Sequence, residues 1–205
     1  LQLAFRYNNP AMILADGVIG QMMEKVKLPA YRRRRTEAEI REQCPWATLG
    51  KPATRKPNII TSLELDSAIM EQNNLRFQAK YTEIAKTEVR YETIDTEDAD
   101  YILVAFGAMA RICQKAKDLA REQGIKVGIF RPITLWPFPS AAIDAFSGQV
   151  KGLLTVEMNA GQMVEDVRLA VNGKVPVEYY GRLGGVVPTP QEVYNALLAK
   201  FNLPN

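Results

Sequence analysis

A chain of 205 residues, 47% of them hydrophobic, is long enough to bury one large core, or one domain with a further piece beside it. Its 26 basic and 23 acidic residues are interleaved and leave a formal charge of +3, which excludes the dense basic face that nucleic-acid binding requires. No run of about 18 apolar residues exists to span a bilayer and no basic-then-apolar signal opens the sequence, so a soluble cytoplasmic protein is expected.

Leu3, Ala4 and Tyr7 have the spacing of a last helical turn. With Leu1 at the start instead of methionine, the sequence reads as a fragment whose first helix begins earlier. Pro10 to Asp16, PAMILAD, reads as a short buried strand, and Gly17 to Val26 as a glycine-containing turn leading into further structure. Tyr31 to Arg35 and Cys44 to Pro57 are rich in proline, glycine and basic residues, the composition of a connector. The run Arg32 to Arg35 reads as a solvated face, with an acidic subunit or a phosphate as the alternative partner.

From Ser62 to Arg90 the sequence is highly charged, while Leu65, Ala68, Ile69, Phe77, Tyr81, Ile84 and Ala85 suit one helix face. The spacing predicts one or two bridging helices, starting near Ser62 and with Asn73-Asn74 as a break.

From about Glu97 strands and helices alternate. Tyr101 to Phe106, Lys126 to Arg131, Leu153 to Met158 and Val177 to Tyr180 read as strands. Between them, Met109 to Ala120 is a helix ended by Gly124, Ala141 to Phe146 a short helix, and Met163 to Val171 another. A closing helix starts at Pro190, with Val193, Leu197, Leu198 and Phe201 toward the sheet. Right-handed crossovers turn this order into an α/β fold with a Rossmann-like parallel sheet covered by helices. The expected organisation is residues 1–57, the end of one α/β unit; 58–96, a helical bridge; and 97–205, the sheet domain.

In such a sheet Gly107 and the loops 131–139, 157–161 and 181–185 all follow strands at their carboxyl ends and share one edge, where ligands or partners dock. Arg131, Trp136, Glu157, Asn159, Gln162 and Arg182 are the candidate contact residues there. Taken singly, each has a plainer reading: Trp136 as a cap on the core, Asn159 and Gln162 as turn or helix-entry residues, and Glu157 as the ion-pair partner of Arg131 or Arg182. Gly107 is followed by Ala-Met-Ala-Arg, without the further glycines of a dinucleotide fingerprint, so a nicotinamide or flavin site is not supported.

Histidine is absent and cysteine occurs only at Cys44 and Cys113. This removes the commonest general acid and base, the Ser–His and Cys–His nucleophile pairs, and the four thiolates of an iron–sulfur or zinc site. No catalytic residue and no metal ligand is assigned, the cofactor-binding residues are unknown, and any metal cluster is expected on a partner.

The order DGVIGQMME, a charged bridge, RPITLWPFP, TVEMNAGQMVEDV and GRLGGVVPTP resembles the alpha subunit of 2-oxoacid:ferredoxin oxidoreductases, of the 3-methyl-2-oxobutanoate (2-ketoisovalerate) type, in its carboxyl-terminal part. The resemblance implies that 97–205 is similar to the transketolase carboxyl-terminal domain and that 1–57 is the tail of a pyrimidine-type thiamine diphosphate domain. It further implies a multisubunit enzyme that decarboxylates a 2-oxoacid, passes the acyl group to coenzyme A and reduces ferredoxin. Thiamine diphosphate, magnesium and iron–sulfur clusters would lie on absent segments or on the beta and iron–sulfur subunits, and this part would serve assembly. A transketolase-like carboliganding fragment and an independent small-ligand or interaction module are the alternatives, and a homodimer is one permitted assembly.

Overall fold

The computed structural model describes residues 2–23, 25–51, 53–59 and 61–204; Leu1, and with it the expectation of an earlier helix start, lies outside them. In chain order the elements are α1 (Gln2–Tyr7), α2 (Gly17–Gln21), α3 (Glu37–Gln43), α4 (Ser67–Thr87), β1 (Tyr91–Ile94), β2 (Tyr101–Val104), α5 (Gly107–Glu122), β3 (Val127–Pro132), α6 (Ser140–Asp144), β4 (Gly152–Glu157), α7 (Met163–Val171), β5 (Val177–Gly181) and α8 (Pro190–Phe201). They form two compact units. One runs to Met22 and resumes at Gln78, and the other is Met23–Phe77. These limits differ from the three segments expected from composition, because the first 22 residues join the sheet unit.

The sheet has the order β1-β3-β2-β4-β5. β2, β3, β4 and β5 are mutually parallel, as expected, and β1 adds an antiparallel edge strand on β3 that periodicity does not reveal. Alternation along the strands divides the core in two. Tyr101, Leu103, Ile129, Leu154 and Val156 pack with α5 and α8 on one face, while Ile102, Val104, Phe130 and Leu153 pack with α6 and α7 on the other. Both faces being covered, β2 and β4 are buried throughout, and β2 accordingly reads as an unbroken apolar run. The chain steps from β2 outward to β3, then back across β2 to β4, so the crossover direction reverses between β2 and β4. That reversal is the topological switch point of a doubly wound sheet, and it lies where the loops after β2 and β4 begin.

Three expectations are corrected. Pro10 to Asp16 forms no strand and pairs with no described strand, and Met12, Ile13 and Leu14 are 83%, 94% and 62% exposed instead of buried. An apolar run becomes a strand only where a neighbour accepts its backbone hydrogen bonds. The charged bridge is a single helix, within the one or two expected, but its expected start and break are corrected: α4 starts at Ser67 instead of near Ser62, the Asp66 carboxylate accepting from the Ala68 and Ile69 amides, and it continues through Asn73-Asn74. The Asn74 amide donates back to Met70 O at 3.0 Å, which lets a polar residue sit inside the helix. Within the connector, Thr36 and Glu39 close a capping box that starts α3.

Gly128, the second residue of β3, lies against the β1–β2 connection. A β-carbon there would stand 2.7 Å from Asp95 O and 3.0 Å from Thr96 Cα, both backbone atoms. Gly128→Ala is therefore expected to destabilise the sheet unit by about 1–3 kcal/mol, read as a lowered urea midpoint; an unchanged midpoint would show that the connection yields freely.

Candidate functional site

The carboxyl ends of the four parallel strands give one edge, and the helices that start there point their free N–H groups and the positive ends of their dipoles at it. In many doubly wound sheets that edge receives phosphate. Here the three longer helices that start from it are each met by a carboxylate of the chain itself.

Glu157 ends β4 at 2% exposure. Its Oε2 accepts from Met163 N at 2.9 Å, Gln162 N at 3.4 Å and Asn159 Nδ2 at 3.0 Å, and its Oε1 accepts from Val164 N at 3.0 Å. The carboxylate thus caps the start of α7 from the preceding strand. This corrects the expected ion pair: Arg131 bonds Glu92, its cross-strand partner, at 2.8 Å, and Arg182 bonds Glu192 at 2.5 Å. Asn159 folds the intervening turn. Its Oδ1 accepts from Gly161 N at 2.7 Å, its carbonyl accepts the Tyr179 hydroxyl, and Gly161 takes φ +97°. Gln162 is the last residue before α7. The buried charge is felt nearby: the Asp166 carboxyl is raised by its own burial and then by Glu165 and Glu157, and the Tyr179 hydroxyl is raised by burial and then by Glu157.

α5 has no side-chain cap from its own flanking residue, Phe106, and no acid in its first turn. Its anion comes from far along the chain. Asp16 Oδ1 accepts from Ile19 N at 2.8 Å, capping α2, and Asp16 Oδ2 accepts from Ala108 N at 2.9 Å. Partial burial raises the Asp16 carboxyl, but the Ala108, Ile19 and Val18 amides outweigh it and hold it below the ordinary value. The third helix, α8, is closed by a Thr189–Glu192 capping box, and Glu192 also holds Arg182.

Beside this edge lies a largely apolar cleft of about 680 Å³ within the sheet unit. It is lined by residues of α1, residues 9–15, Ile19, Ile84, Phe106, Gly107 and Arg131 to Pro137. Trp136 lines it at 58% exposure, its ring edge-on to Tyr81, so it does not cap the core. At the rim, Glu88 is 5% exposed and accepts from Arg6 at 3.1 Å, Tyr7 at 2.8 Å and Arg90 at 3.3 Å, which ties α1 to the end of α4.

The loops do meet at one edge, as read from the sequence. Glu157, Asn159 and Gln162 come together in a single turn, and Arg131 and Trp136 line the cleft. Asp16 and Glu88 were missed. Asp16 before a helix carries a readable cap signal, but its bond to α5 spans 92 residues, and no local pattern marks Glu88. Among the described residues no group of three or more His, Cys, Asp or Glu could hold a metal. Cys113 is buried inside α5, and burial pushes its thiol far above the ordinary value, so it is not an available thiolate.

Residues 99–193 match the family model described as pyruvate:ferredoxin oxidoreductase core domain II. Ketoisovalerate oxidoreductase subunit VorB of Methanothermobacter marburgensis is 43% identical over 90% of the chain and 50% of its own length. 2-Oxoglutarate synthase subunit KorA of Methanothermobacter thermautotrophicus is 28% identical over 96% of the chain and 57% of its own length. The chain therefore spans about half the length of the curated relatives it matches. A solved 2-oxoglutarate:ferredoxin oxidoreductase from Magnetococcus marinus, with 2-oxoglutarate, coenzyme A and succinyl-CoA bound, superposes at a TM-score of 0.59 with 24% identity, over 67% of this chain and 24% of that one. It shares the fold.

Two outcomes follow from the capped edge. Glu157→Ala leaves the amides at the start of α7 without their acceptor and is expected to cost about 2–3 kcal/mol in urea unfolding, since bonds to a charged acceptor are worth about that; a loss below about 0.5 kcal/mol, the scale of an ordinary surface substitution, would contradict the cap. The Asp16 carboxyl is depressed in the fold, so its stabilisation is complete above the unfolded carboxyl value and is lost as pH falls through the folded one. Below about pH 4 the native chain should lose stability that Asp16→Asn no longer has to lose; equal acid slopes for the two proteins would count against it.

Proposed function

Since the chain belongs to the 2-oxoacid:ferredoxin oxidoreductase family, we propose that it is part of the VorB-type, or alpha, subunit of an enzyme acting on a branched-chain 2-oxoacid. The overall reaction is oxidative decarboxylation, with transfer of the acyl group to coenzyme A and of electrons to ferredoxin. The observation that carries the substrate class is the identity to VorB, 43% against 28% for KorA at similar coverage of the chain.

In this reading 97–205 corresponds to the transketolase carboxyl-terminal domain, 1–57 to the tail of a pyrimidine-type thiamine diphosphate domain and 58–96 to the bridge between them. Thiamine diphosphate would supply the carbanion stabilisation that decarboxylation needs. The residues of this chain do not fit it, its magnesium ion or a cluster: the starts of α5, α7 and α8 are filled by Asp16, Glu157 and Glu192, and the chain has two cysteines where a cluster takes four thiolates. No step is therefore assigned to its side chains.

The role that remains is assembly. Exposed Met12, Ile13, Leu14, Ile133 and Trp136 line the cleft and form the apolar surface that a monomer does not leave to water. Arg131, Trp136 and Arg182 are the contact residues proposed for the beta and iron–sulfur subunits. Glu157, Asn159 and Gln162 act beneath them by fixing the turn. A carboliganding enzyme would share the sheet but transfer no electrons, which separates it by assay.

The test is 2-oxoacid- and coenzyme A-dependent viologen reduction by the full-length subunit with its co-expressed neighbours. 3-Methyl-2-oxobutanoate is expected to exceed 2-oxoglutarate in kcat/KM by roughly tenfold or more, the scale on which a hydrophobic pocket discriminates. Removal of 97–205 should abolish assembly and activity together. An intact, cofactor-loaded complex that reduces no viologen would overturn the reading.

A further inference from the structure

The interaction that spans the greatest length of chain at the site is the one between Asp16 and α5, and three observations converge on it. One carboxylate serves two helices at once, its oxygens 2.8 Å from Ile19 N and 2.9 Å from Ala108 N. The site is shaped for it: Gly107 takes φ +60°, and a β-carbon there would stand 2.8 Å from Asp16 Oδ2, so only glycine combines this backbone with this approach. Finally, Phe106, the residue before α5, gives it no side-chain cap.

Asp16 directly follows residues 9–15, which line the cleft, and the Gly107 it abuts lines the cleft too. Residues 10–15 are held by no described sheet partner, so their position depends on what fixes their two ends. At the upstream end, Asn9 Oδ1 accepts from Lys80 at 3.1 Å, and Tyr7 and Arg6 bond Glu88. At the downstream end stands Asp16. We propose that Asp16 is a clasp: by capping α5 beside Gly107 it sets how far residues 9–15 stand from residues 131–137, the other long segment lining the cleft, a positioning role that no sequence motif announces. The α5 cap and the cleft width are then one variable, and anything that removes the carboxylate from Ala108 opens the cleft.

Asp16→Ser separates the two functions of the residue. A serine caps α2 about as well as aspartate, through the same Ile19 amide, but has no second oxygen to reach Ala108. Spin labels at Met12→Cys and Ile133→Cys, both exposed and each in one of the two segments lining the cleft, report their separation in the full chain, with Cys44→Ala removing the native thiol outside α5. With Asp16 the distance distribution is expected to be narrow. With Asp16→Ser it broadens or shifts outward, and Ala108 amide exchange rises at least tenfold while Ile19 changes little.

Thr189→Ala, which uncaps α8 away from the cleft, should lower stability without moving the labels, so a general loosening is distinguished from loss of the clasp. Gly107→Ala disturbs the same contact from its other side and should cost less in the Asp16→Ser background than alone. An unchanged label distance and Ala108 exchange in Asp16→Ser, or additive effects of the two substitutions, would overturn the proposal.

Discussion

Parallel strands deliver every following helix to one edge with its N-terminus forward, and each such terminus brings unpaired N–H groups and a positive dipole end that must be answered. The organisation of this sheet unit depends on how that demand is met. A phosphate would meet it in a nucleotide-binding sheet. In this chain Asp16, Glu157 and Glu192 meet it from within, and the switch point between β2 and β4 is flanked by two of them.

The consequences run outward from that constraint. Glu157 can be buried because four donors surround it, and the turn that supplies two of them is folded by Asn159 and closed by Gly161. A buried carboxylate without such donors would carry a cost of several kcal/mol, on the order expected for an unpaired charge in the interior. With the starts of α5, α7 and α8 answered, the exposed surface beside the edge is largely apolar. Met12 to Leu14, Ile133 and Trp136 supply it, and a subunit role follows more naturally from such an edge than binding of a free nucleotide.

Much of this was legible in the sequence where the signal is local. β2 is a continuous apolar run, β3, β4 and β5 are short, mainly apolar or aromatic runs, and the α5, α7 and α8 faces follow helical spacing. The capping box at Thr189 and the proline after it mark the start of α8 unambiguously. What was not legible depends on partners distant in the chain. Pro10 to Asp16 has the composition of a buried strand yet has no described neighbour to pair with, β1 has only one half-buried position to betray it, and Glu157 finds backbone amides instead of arginine. The motif TVEMNAGQMVEDV pointed to the right turn and family, while its glutamate was given the wrong partner because spacing cannot distinguish a cap from an ion pair.

The most direct test of a self-capped edge is the response of backbone amides to an anion. In nitrogen-15 spectra of the chain titrated with inorganic phosphate at constant ionic strength, Ala108, Met163 and Val164 should show no saturable shift, because carboxylates already occupy their donors. Saturable shifts at these amides in the unaltered chain would mean that the edge is an open phosphate site and that Asp16 and Glu157 do not close it.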